Sequence, residues 1–488
     1  MSRITPNQSR MNANNNAAAN ANRNNVPNRN NVPPRDEEEQ IPAVNVDNEM
    51  EGLTLTGRDA PQRQEARPHL QASTNIEGRG TMVIPTAKGT GTTCRIRMVN
   101  NKPTRRLKMY QMLPRHLICK DQPLDIPVVQ LVSFGDSNID TGAASAAFSR
   151  VTPPNGETFF HKPVGRPSDG RLTIDFIAEK LRLPYLSAYL DSLGTKFGRG
   201  ANFAVSLATI RPSSKSLTGG GPSPFYLDVQ VSQFQQFKNR TQGGIFPDFL
   251  PNNDHFATYP KKKNDHFARA LYVFDVGQND IGLGLFSNQS PEQIKADIPD
   301  IISKFSNNVQ AVYGLGGRSI WIHNTGPIGC FPYILTSFPV NASQTDPAGC
   351  ATPYNDVAQF FNQKLKEAVV QLRTQLPLAA ITYVDIYAVK YLLISQANKF
   401  GFQQPLVACC GFGGKYNFTF SARCGQTTTV NGRPFFVESC PDPSVRISWD
   451  GSHFTEAANK FVVDKITIGN FTDPPIPLQN ACNRVFPA

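Results

Sequence analysis

Short apolar segments alternate with longer amphipathic segments along the chain from residue 128 to residue 475. The apolar segments have the length of buried strands, and the amphipathic ones have helical periodicity. The predicted strands are Val128–Phe134, Ala270–Val276, Ser319–His323 and Ala380–Asp385. The predicted helices are Leu172–Leu181, Pro291–Tyr313, Asn355–Leu376 and Ile386–Phe400. This alternation predicts an α/β fold with a mainly parallel sheet that helices cover on both faces.

Two of the predicted helices have recognisable ends. Ser290 directly precedes Pro291, and a Ser N-cap followed by Pro at the first helical position is a favourable helix start. Pro377 directly follows Leu376, where it ends a helix because proline has no N–H to donate. In parallel sheets, reactive groups gather at the carboxyl ends of the strands. We therefore expect catalytic residues directly after the predicted strands.

The length of 488 residues allows up to three domains, although a single large α/β fold can use about 250 residues or more. The hydrophobic fraction of 39%, counted with Tyr and without Gly, is enough for a sizeable core. No run of about 18 apolar residues occurs, so we do not expect a membrane span. We predict one catalytic domain at residues 128–475 and a C-terminal tail at residues 476–488.

The net charge of +11 is concentrated in the first quarter of the chain. Residues 1–127 hold 18 Lys and Arg against 12 Asp and Glu, and residues 78–120 hold ten basic residues and no acidic one. Residues 7–32 contain 12 Asn and almost nothing apolar, so we expect residues 1–127 to be a disordered extension, Asn-rich and then basic. The basic tract can bind nucleic acid by counterion release. Since no nucleic-acid fold motif accompanies it, a solvated tail or a wrongly joined coding sequence is favoured.

Three polar segments carry candidate chemistry. Ser137 follows the first strand in a turn with Gly and Asp, which either presents its hydroxyl outward or is ordinary turn chemistry. Asn279 lies in an amide-rich segment after the second strand. Its side chain either donates to an oxyanion or forms part of an Asx turn. Asp450 and His453 are three residues apart, so the carboxylate can hold one imidazole nitrogen while the other faces a nucleophile. A surface turn is the alternative for this pair.

Five further motifs lie between these segments. They are Gly165–Leu172, Gly200–Ala204, Leu227–Gln230, Asn324–Cys330 and Cys409–Gly411. In this order the motifs resemble the plant branch of the GDSL, or SGNH, hydrolases over most of residues 128–475. The resemblance implies a flavodoxin-like three-layer α/β/α sandwich that hydrolyses acyl esters without a cofactor. It implies that Ser137 is the nucleophile, His453 the general base and then acid, and Asp450 its orienting residue, with Asn279 and the backbone N–H of Ser137 as oxyanion donors.

One position departs from the family pattern. The motif that begins at Asn202 normally carries Gly five residues later, whose backbone N–H completes the oxyanion hole, and here Leu207 occupies that position. The N–H is retained, but the side chain can crowd the acyl group, and Leu resists a positive φ if the position requires one. Since losing one such donor costs about 10²–10³ in rate, we predict reduced or unusually selective activity.

Seven of the nine cysteines lie between Cys330 and Cys482, where the family resemblance implies secretion and disulfide bonds. Zinc binding is the alternative, but no paired Cys-x-x-Cys spacing supports it. Candidate N-glycosylation sites are Asn239, Asn341, Asn417 and Asn470. A fifth site at Asn288 is doubtful because Pro291 follows it. The cysteines and the glycosylation sites together favour an oxidising secretory route.

Histidines occur in a short internal repeat and at one strand end. Asn253–Ala257 recurs as Asn264–Ala268, which places His255 and His266 at equivalent positions. Because no further ligands are evident, we predict a duplicated surface loop and no metal site. His323 ends a predicted buried strand, where we expect a hydrogen-bonded structural role.

The leading hypothesis is an esterase or lipase acting on a small-molecule or glycan acyl ester, such as an acetylated glycan. The alternatives are acyl transfer through the same acyl-Ser137 intermediate and a pseudoenzyme that binds carbohydrate or protein, which Leu207 motivates. The beginning of the chain lacks a basic segment followed by about 7–15 apolar residues, so no signal peptide is recognised there. Because the resemblance implies secretion, we expect this N-terminal sequence to be incorrect or fused.

Overall fold

The computed structural model describes residues 81–84, 92–95, 130–195, 197–213, 223–242 and 265–481. Within the predicted N-terminal extension it gives two short strands, β1 (Thr81–Ile84) and β2 (Thr92–Arg95), which pair in antiparallel orientation. The rest of that extension lies outside the described residues, as do Asn253–Ala257 and Cys482.

A six-stranded sheet runs through the described residues from 130 to 481. Its strands, numbered in chain order, are β3 (Gln130–Gly135), β4 (Gly200–Asn202), β5 (Ala270–Asp275), β6 (Ser319–His323), β7 (Ala380–Val384) and β10 (Thr472–Asp473). The spatial order is β4-β3-β5-β6-β7-β10, and every neighbouring pair is parallel except β7 with β10. A separate hairpin joins β8 (Thr427–Val430) to β9 (Arg433–Phe436). The mainly parallel sheet confirms the predicted fold class.

Helices form the outer layers of this α/β/α sandwich. In the described part of the chain they are α1 (Ala143–Ala147), α2 (Thr173–Lys180), α3 (Leu227–Gln242), α4 (Asp265–Ala268), α5 (Gln278–Phe286), α6 (Pro291–Gly314), α7 (Pro332–Ser337), α8 (Thr352–Gln375), α9 (Ile386–Ser395) and α10 (Glu456–Ile466). Helices α3, α6 and α8 pack in series, as do α2, α10 and α9. Within the ranges given above, no helix combines the length and the apolar character that a membrane crossing needs.

The helix ends follow from local chemistry. The hydroxyl of Ser290 accepts a hydrogen bond from the backbone N–H of Gln293 (3.3 Å), and the side chain of Gln293 accepts one from the N–H of Ser290 (2.8 Å). This capping box, with Pro291 at the first helical position, confirms the predicted start of α6. Helix α8 ends at Gln375, two residues before Pro377, as the proline predicts.

Several elements differ from the predictions. Strands β4 and β10 were not predicted, because three and two residues are too few to show a hydrophobic period. The predicted helix Ile386–Phe400 ends at Ser395, because Gln396 leaves helical geometry at φ −123°, and a 3₁₀ turn follows. The second copy of the repeat forms α4 instead of the expected loop, since Phe267 is 3% exposed and packs edge-on against Phe234 (5.9 Å between ring centroids).

The centre of the sheet is built around Phe134, the penultimate residue of β3. Its ring stacks on Phe203 and Phe274 at centroid separations of 5.6 and 5.0 Å and meets Phe234 edge-on at 5.7 Å. All four rings are fully or almost fully buried. Since such aromatic contacts add stabilisation beyond apolar burial, they anchor the strand that leads to Ser137 on the face of the sheet to which Phe134 points.

Candidate active site

The carboxyl ends of three neighbouring parallel strands bring polar residues together. Gly135 at the end of β3 pairs with Asp275 at the end of β5, and Asp275 pairs with His323 at the end of β6. Asp136 and Ser137 directly follow β3, and the backbone N–H of Asp136 donates to the carbonyl oxygen of Asp275 (3.1 Å). Ser137 therefore lies at the sheet edge where reactive groups are expected.

A capped turn holds Ser137 in place. Oδ1 of Asp136 accepts hydrogen bonds from both the backbone N–H and the side-chain amide of Asn138, each at 3.0 Å. The same amide of Asn138 also reaches Oε1 of Gln278, the first residue of α5, at 3.5 Å. Ser137 is 7% exposed, so the turn fixes its backbone at the floor of the site.

Asp450 and His453 form a hydrogen-bonded pair in the loop before α10. Nδ1 of His453 lies 2.7 Å from Oδ2 of Asp450, while Oδ1 of Asp450 accepts the backbone N–H groups of Ser452 and His453 at 2.9 Å each. Because a carboxylate only accepts, Nδ1 carries the proton and Nε2 is the basic nitrogen. Burial lowers the pKa of His453, but the charge and hydrogen bond of Asp450, together with the charge of Asp136, raise that pKa above its ordinary value. Burial raises the pKa of Asp450, but its contacts with His453 hold that pKa below the ordinary value.

The segment Gly165–Leu172 holds the chain directly after His453. The hydroxyl of Ser168 donates to the carbonyl oxygen of Phe454 (3.0 Å), and Asp169 accepts the backbone N–H of Glu456 (2.7 Å). The Arg171 guanidinium and backbone N–H both donate to the Glu456 carboxylate, at 2.7 and 2.8 Å. The sequence motif had suggested no role for this segment, and the structure shows that it anchors the histidine loop.

Asn279, the candidate oxyanion donor, lies in the first turn of α5 and is 6% exposed. Its side-chain nitrogen donates to the carbonyl oxygen of Ala208 (2.9 Å). An amide nitrogen carries two protons, so one hydrogen bond orients the group and leaves a second N–H. Asn279 thus lies at a helix start, not in the alternative Asx turn, and its amide is fixed by the loop that contains Leu207.

Leu207 has a positive φ of 65°, in the left-handed region that favours glycine. The neighbouring Ser206 holds this conformation, because its backbone N–H and hydroxyl both donate to Oδ2 of Asp140 at 2.8 Å. The other oxygen of Asp140 accepts the N–H groups of Gly142 and Ala143 at 2.9 and 2.6 Å. The position does require a positive φ, and the leucine adopts it.

The predicted residues fall on two sides of one site. One side carries Ser137 after β3, Leu207 in the loop after β4 and Asn279 on α5, and the loop before α10 carries His453. The charge of Asp136, next to Ser137, raises the pKa of His453. Tyr333 links the two sides, because its backbone N–H donates to the carbonyl oxygen of Gly451 (3.2 Å) and its ring lies 6.2 Å from that of Phe286 on α5.

Sequence reasoning missed two buried groups near the site. Tyr333 donates its backbone N–H to the carbonyl oxygen of Gly451 (3.2 Å) and is 7% exposed. Burial, and then the charge of Asp136, raise the pKa of Tyr333. Lys390 of α9 is 5% exposed. A single lysine in an otherwise apolar helix was a signal for Lys390, whereas nothing in the sequence marked Tyr333.

An aromatic cluster of Phe286, Tyr333, Phe338 and Phe420 extends from the site to the surface. The Phe286 ring lies 6.2 Å from Tyr333, 4.9 Å from Phe338 and 5.6 Å from Phe420, measured between centroids. Phe286 follows Asn279 by two turns of α5, about 10 Å along the helix axis. Phe420 is 40% exposed, so the cluster offers apolar surface beside the site.

Three disulfide bonds occur among the described residues: Cys330–Cys350, Cys409–Cys440 and Cys410–Cys424. The backbone N–H groups of Cys409 and Cys410 donate to the carbonyl oxygens of Ser448 and Trp449, at 2.9 and 2.6 Å. Trp449 is fully buried and directly precedes Asp450. These bonds confirm the predicted disulfides and support the backbone next to the Asp450–His453 pair.

The candidate glycosylation sites differ in exposure. Asn239, Asn341 and Asn470 are exposed. Asn417 is half-buried, and its side-chain nitrogen donates to the carbonyl oxygen of Ala408 (2.9 Å). The nitrogen that would carry a glycan is therefore engaged at Asn417.

Comparison with known proteins gives the family. Residues 131–466 match the family model described as GDSL-like lipase/acylhydrolase. The chain is 51% identical over 392 residues to an esterase from Hevea brasiliensis, which covers 79% of this chain and 96% of the relative. A GDSL esterase/lipase and α-L-fucosidase 3, both from Arabidopsis thaliana, are 51% and 48% identical, and each match covers 72% of this chain and 92% of the relative. The chain belongs to the GDSL lipase/acylhydrolase family and is a serine-dependent carboxylic ester hydrolase similar to those of plants.

Proposed function

We propose that Ser137 is the nucleophile of this hydrolase and that His453 activates it. Nε2 of His453 takes the proton of the Ser137 hydroxyl as its oxygen attacks the ester carbonyl carbon, and a tetrahedral intermediate forms. His453 then gives that proton to the leaving alcohol as the carbon–oxygen bond breaks, which leaves acyl-Ser137. Water attacks the acyl-enzyme with His453 again as base, and the acid and free Ser137 are released.

The observation that carries this proposal is the hydrogen bond from Nδ1 of His453 to Asp450 at 2.7 Å. It supports the tautomer in which Nε2 is free to accept a proton. The backbone N–H groups of Ser137 and Leu207 and the side chain of Asn279 would donate to the oxyanion. The names of the relatives favour hydrolysis over acyl transfer and over a non-catalytic role.

A fluorophosphonate probe tests this assignment. We expect stoichiometric labelling of the full chain on the peptide that contains Ser137, because the probe captures a serine activated by an adjacent base. Labelling should disappear in Ser137→Ala and persist in Ser444→Ala, which changes an exposed serine shortly before Asp450 in the sequence. A folded wild-type protein that stays unlabelled would refute the proposal. Assay of p-nitrophenyl α-L-fucoside beside p-nitrophenyl acetate separates ester hydrolysis from the activity named for one relative.

We also propose that the aromatic cluster contacts the acyl group of the substrate. Its exposed member, Phe420, would cover part of a medium-length acyl chain, whereas an acetyl group is too short to reach it. Apolar atoms that leave water on such a surface favour binding.

Replacing Phe420 with Ala is expected to raise KM for p-nitrophenyl octanoate by about 2- to 10-fold, the equivalent of roughly 0.5–1.5 kcal/mol for one aromatic contact. KM for p-nitrophenyl acetate should not change. Phe435→Ala is the matched control, because Phe435 is also 40% exposed but packs on Phe412 in the β8–β9 hairpin (4.8 Å between centroids). Equal effects of the two variants, or of one variant on both esters, would contradict this role.

We further propose that residues 128–475 act as one secreted catalytic domain on small-molecule or glycan acyl esters. The three disulfide bonds support an oxidising compartment. The exposed Asn239, Asn341 and Asn470 are better glycosylation candidates than Asn417, whose amide is already hydrogen-bonded.

A further inference from the structure

A group of buried ionisable side chains lies under the site and takes no part in the chemistry above. Asp136, Asp275 and His323 follow or end the central strands, and they are 1%, 8% and 1% exposed. Lys390 enters from α9 and is 5% exposed. Buried charged groups are stable where groups of opposite charge lie nearby. We therefore consider the charges of these four side chains together.

The two carboxylates are incompletely satisfied by neutral donors. Nδ1 of His323 lies 2.9 Å from Oδ2 of Asp275. Oδ1 of Asp136 accepts two hydrogen bonds from Asn138, but within the described ranges its buried Oδ2 has no hydrogen-bond partner. Burial, and then the nearby Asp275, raise the pKa of Asp136 to about 7. An ionised Asp136 therefore depends on a cation.

Lys390 is placed to supply that cation. Its stem lies against Gly326, where an added Cβ would come within 3.0 Å of Cδ and 3.7 Å of Nζ of the lysine. Nζ lies 4.8 Å from the centre of the Phe454 ring, which directly follows His453. Burial lowers the pKa of Lys390, and the charges of Asp275 and Asp136 oppose this effect. The ammonium thus lies beside the segment that follows β6 and beside the residue that follows His453.

The same charges act on His453. Asp450 and Asp136 raise the pKa of His453, whereas Lys390 lowers it. Asp275 influences this balance through its effects on Asp136 and Lys390. The Asp450 charge also acts on the half-buried Arg423, whose pKa is lowered by burial.

We propose that Lys390 is a positioning residue of the hydrolase, whose buried ammonium offsets the negative field of Asp136 and Asp275 at the catalytic histidine. This role rests on the proposed function of His453. Its consequence is that the imidazole stays neutral, and able to accept the Ser137 proton, at a lower pH than the carboxylates alone would allow.

The test is the acid limb of kcat/KM for p-nitrophenyl acetate, measured with the full chain. In Lys390→Met the negative field at His453 is no longer opposed, so the pKa of His453 should rise. The acid limb should then move up by about 0.5 to 1 pH unit, a small shift for the loss of one nearby charge. Partial proton uptake by Asp136 keeps the shift modest. In Asp136→Asn one negative charge is lost, and the limb should move down. Lys390→Arg keeps the charge and should restore the wild-type limb.

Opposite shifts of the acid limb in Lys390→Met and Asp136→Asn support the inference. A merely structural role would lower the activity of both variants and leave their acid limbs at the same pH. Unchanged limbs, or shifts in the same direction, would overturn it. If Lys390→Met does not fold, Lys390→Gln removes the same charge and should move the limb up in the same way. Fluorophosphonate labelling keeps the two proposals separate: an unlabelled wild type removes the proposed function, whereas a labelled wild type with unmoved limbs removes the role of Lys390 alone.

Discussion

Replacing Asp450 with Asn is expected to lower kcat for ester hydrolysis by about 10⁴-fold, the loss typical when the carboxylate of such a triad becomes an amide. The side-chain oxygen of Asn can still accept the backbone N–H groups that Oδ1 of Asp450 accepts now. The side-chain nitrogen of Asn, however, takes the place of Oδ2, which now accepts a hydrogen bond from Nδ1 of His453. That nitrogen can only donate, so Nδ1 must become the acceptor. The imidazole then carries its proton on Nε2 and cannot take one from Ser137.

The pH dependence of this variant provides a second measurement. Because the Asp450 carboxylate raises the pKa of His453, the remaining activity should persist to lower pH than in the wild type. Asp442→Asn is the matched control: Asp442 also caps a short turn, accepting from the N–H and hydroxyl of Ser444, but it is exposed. A loss below about tenfold in Asp450→Asn, or an equal loss in the control, would show that Asp450 does not orient the base.

Replacing Leu207 with Gly is expected to increase kcat/KM, by at most the roughly 10²–10³-fold that one oxyanion donor is worth. The backbone at this position already has a positive φ of 65°, so Gly keeps the local geometry and removes the side chain that we expect to crowd the acyl group. The gain should therefore be larger for p-nitrophenyl octanoate than for p-nitrophenyl acetate. Relief of the left-handed conformation, about 1–2 kcal/mol, is largely offset by the flexibility that Gly adds to the unfolded chain.

Arg182→Gly separates relief of backbone strain from a change in the site. Arg182 has a φ of 57° directly after the C-cap residue of α2, and it is exposed. Both variants should change the melting temperature little, and Leu207→Gly alone should change activity. If Leu207→Gly gives no gain, the leucine does not limit catalysis.

Much of this architecture could be predicted because it depends on residues that are close together in the sequence. Strands β5, β6 and β7 are continuous apolar segments, and α6 begins with an explicit cap. The Asp450–His453 pair is similarly local, since three residues within one loop suffice to bring a carboxylate to an imidazole. Ser137 could be placed because the end of a buried strand fixes the position of the following turn.

What the sequence could not reveal depends on contacts between distant segments. Asp169 meets the backbone of Glu456 across 287 positions of sequence. Nothing in the pattern near Lys390 indicates which strand ends lie beside α9. The positive φ of Leu207 follows from hydrogen bonds between Ser206 and Asp140, 66 residues earlier. Such contacts become visible when the sheet order is known.

The neighbouring Cys409 and Cys410 have a practical consequence for preparations of this enzyme. Their partners, Cys440 and Cys424, lie in one short stretch of chain, so in the unfolded chain either cysteine can react with either partner. Thiol–disulfide exchange must convert the wrong pairing into the native one. Only the native pairing is compatible with the backbone contacts of Cys409 and Cys410 to Ser448 and Trp449. The fraction of molecules with an aligned Asp450 thus depends on oxidative refolding, and active-site titration is needed before turnover numbers of variants are compared.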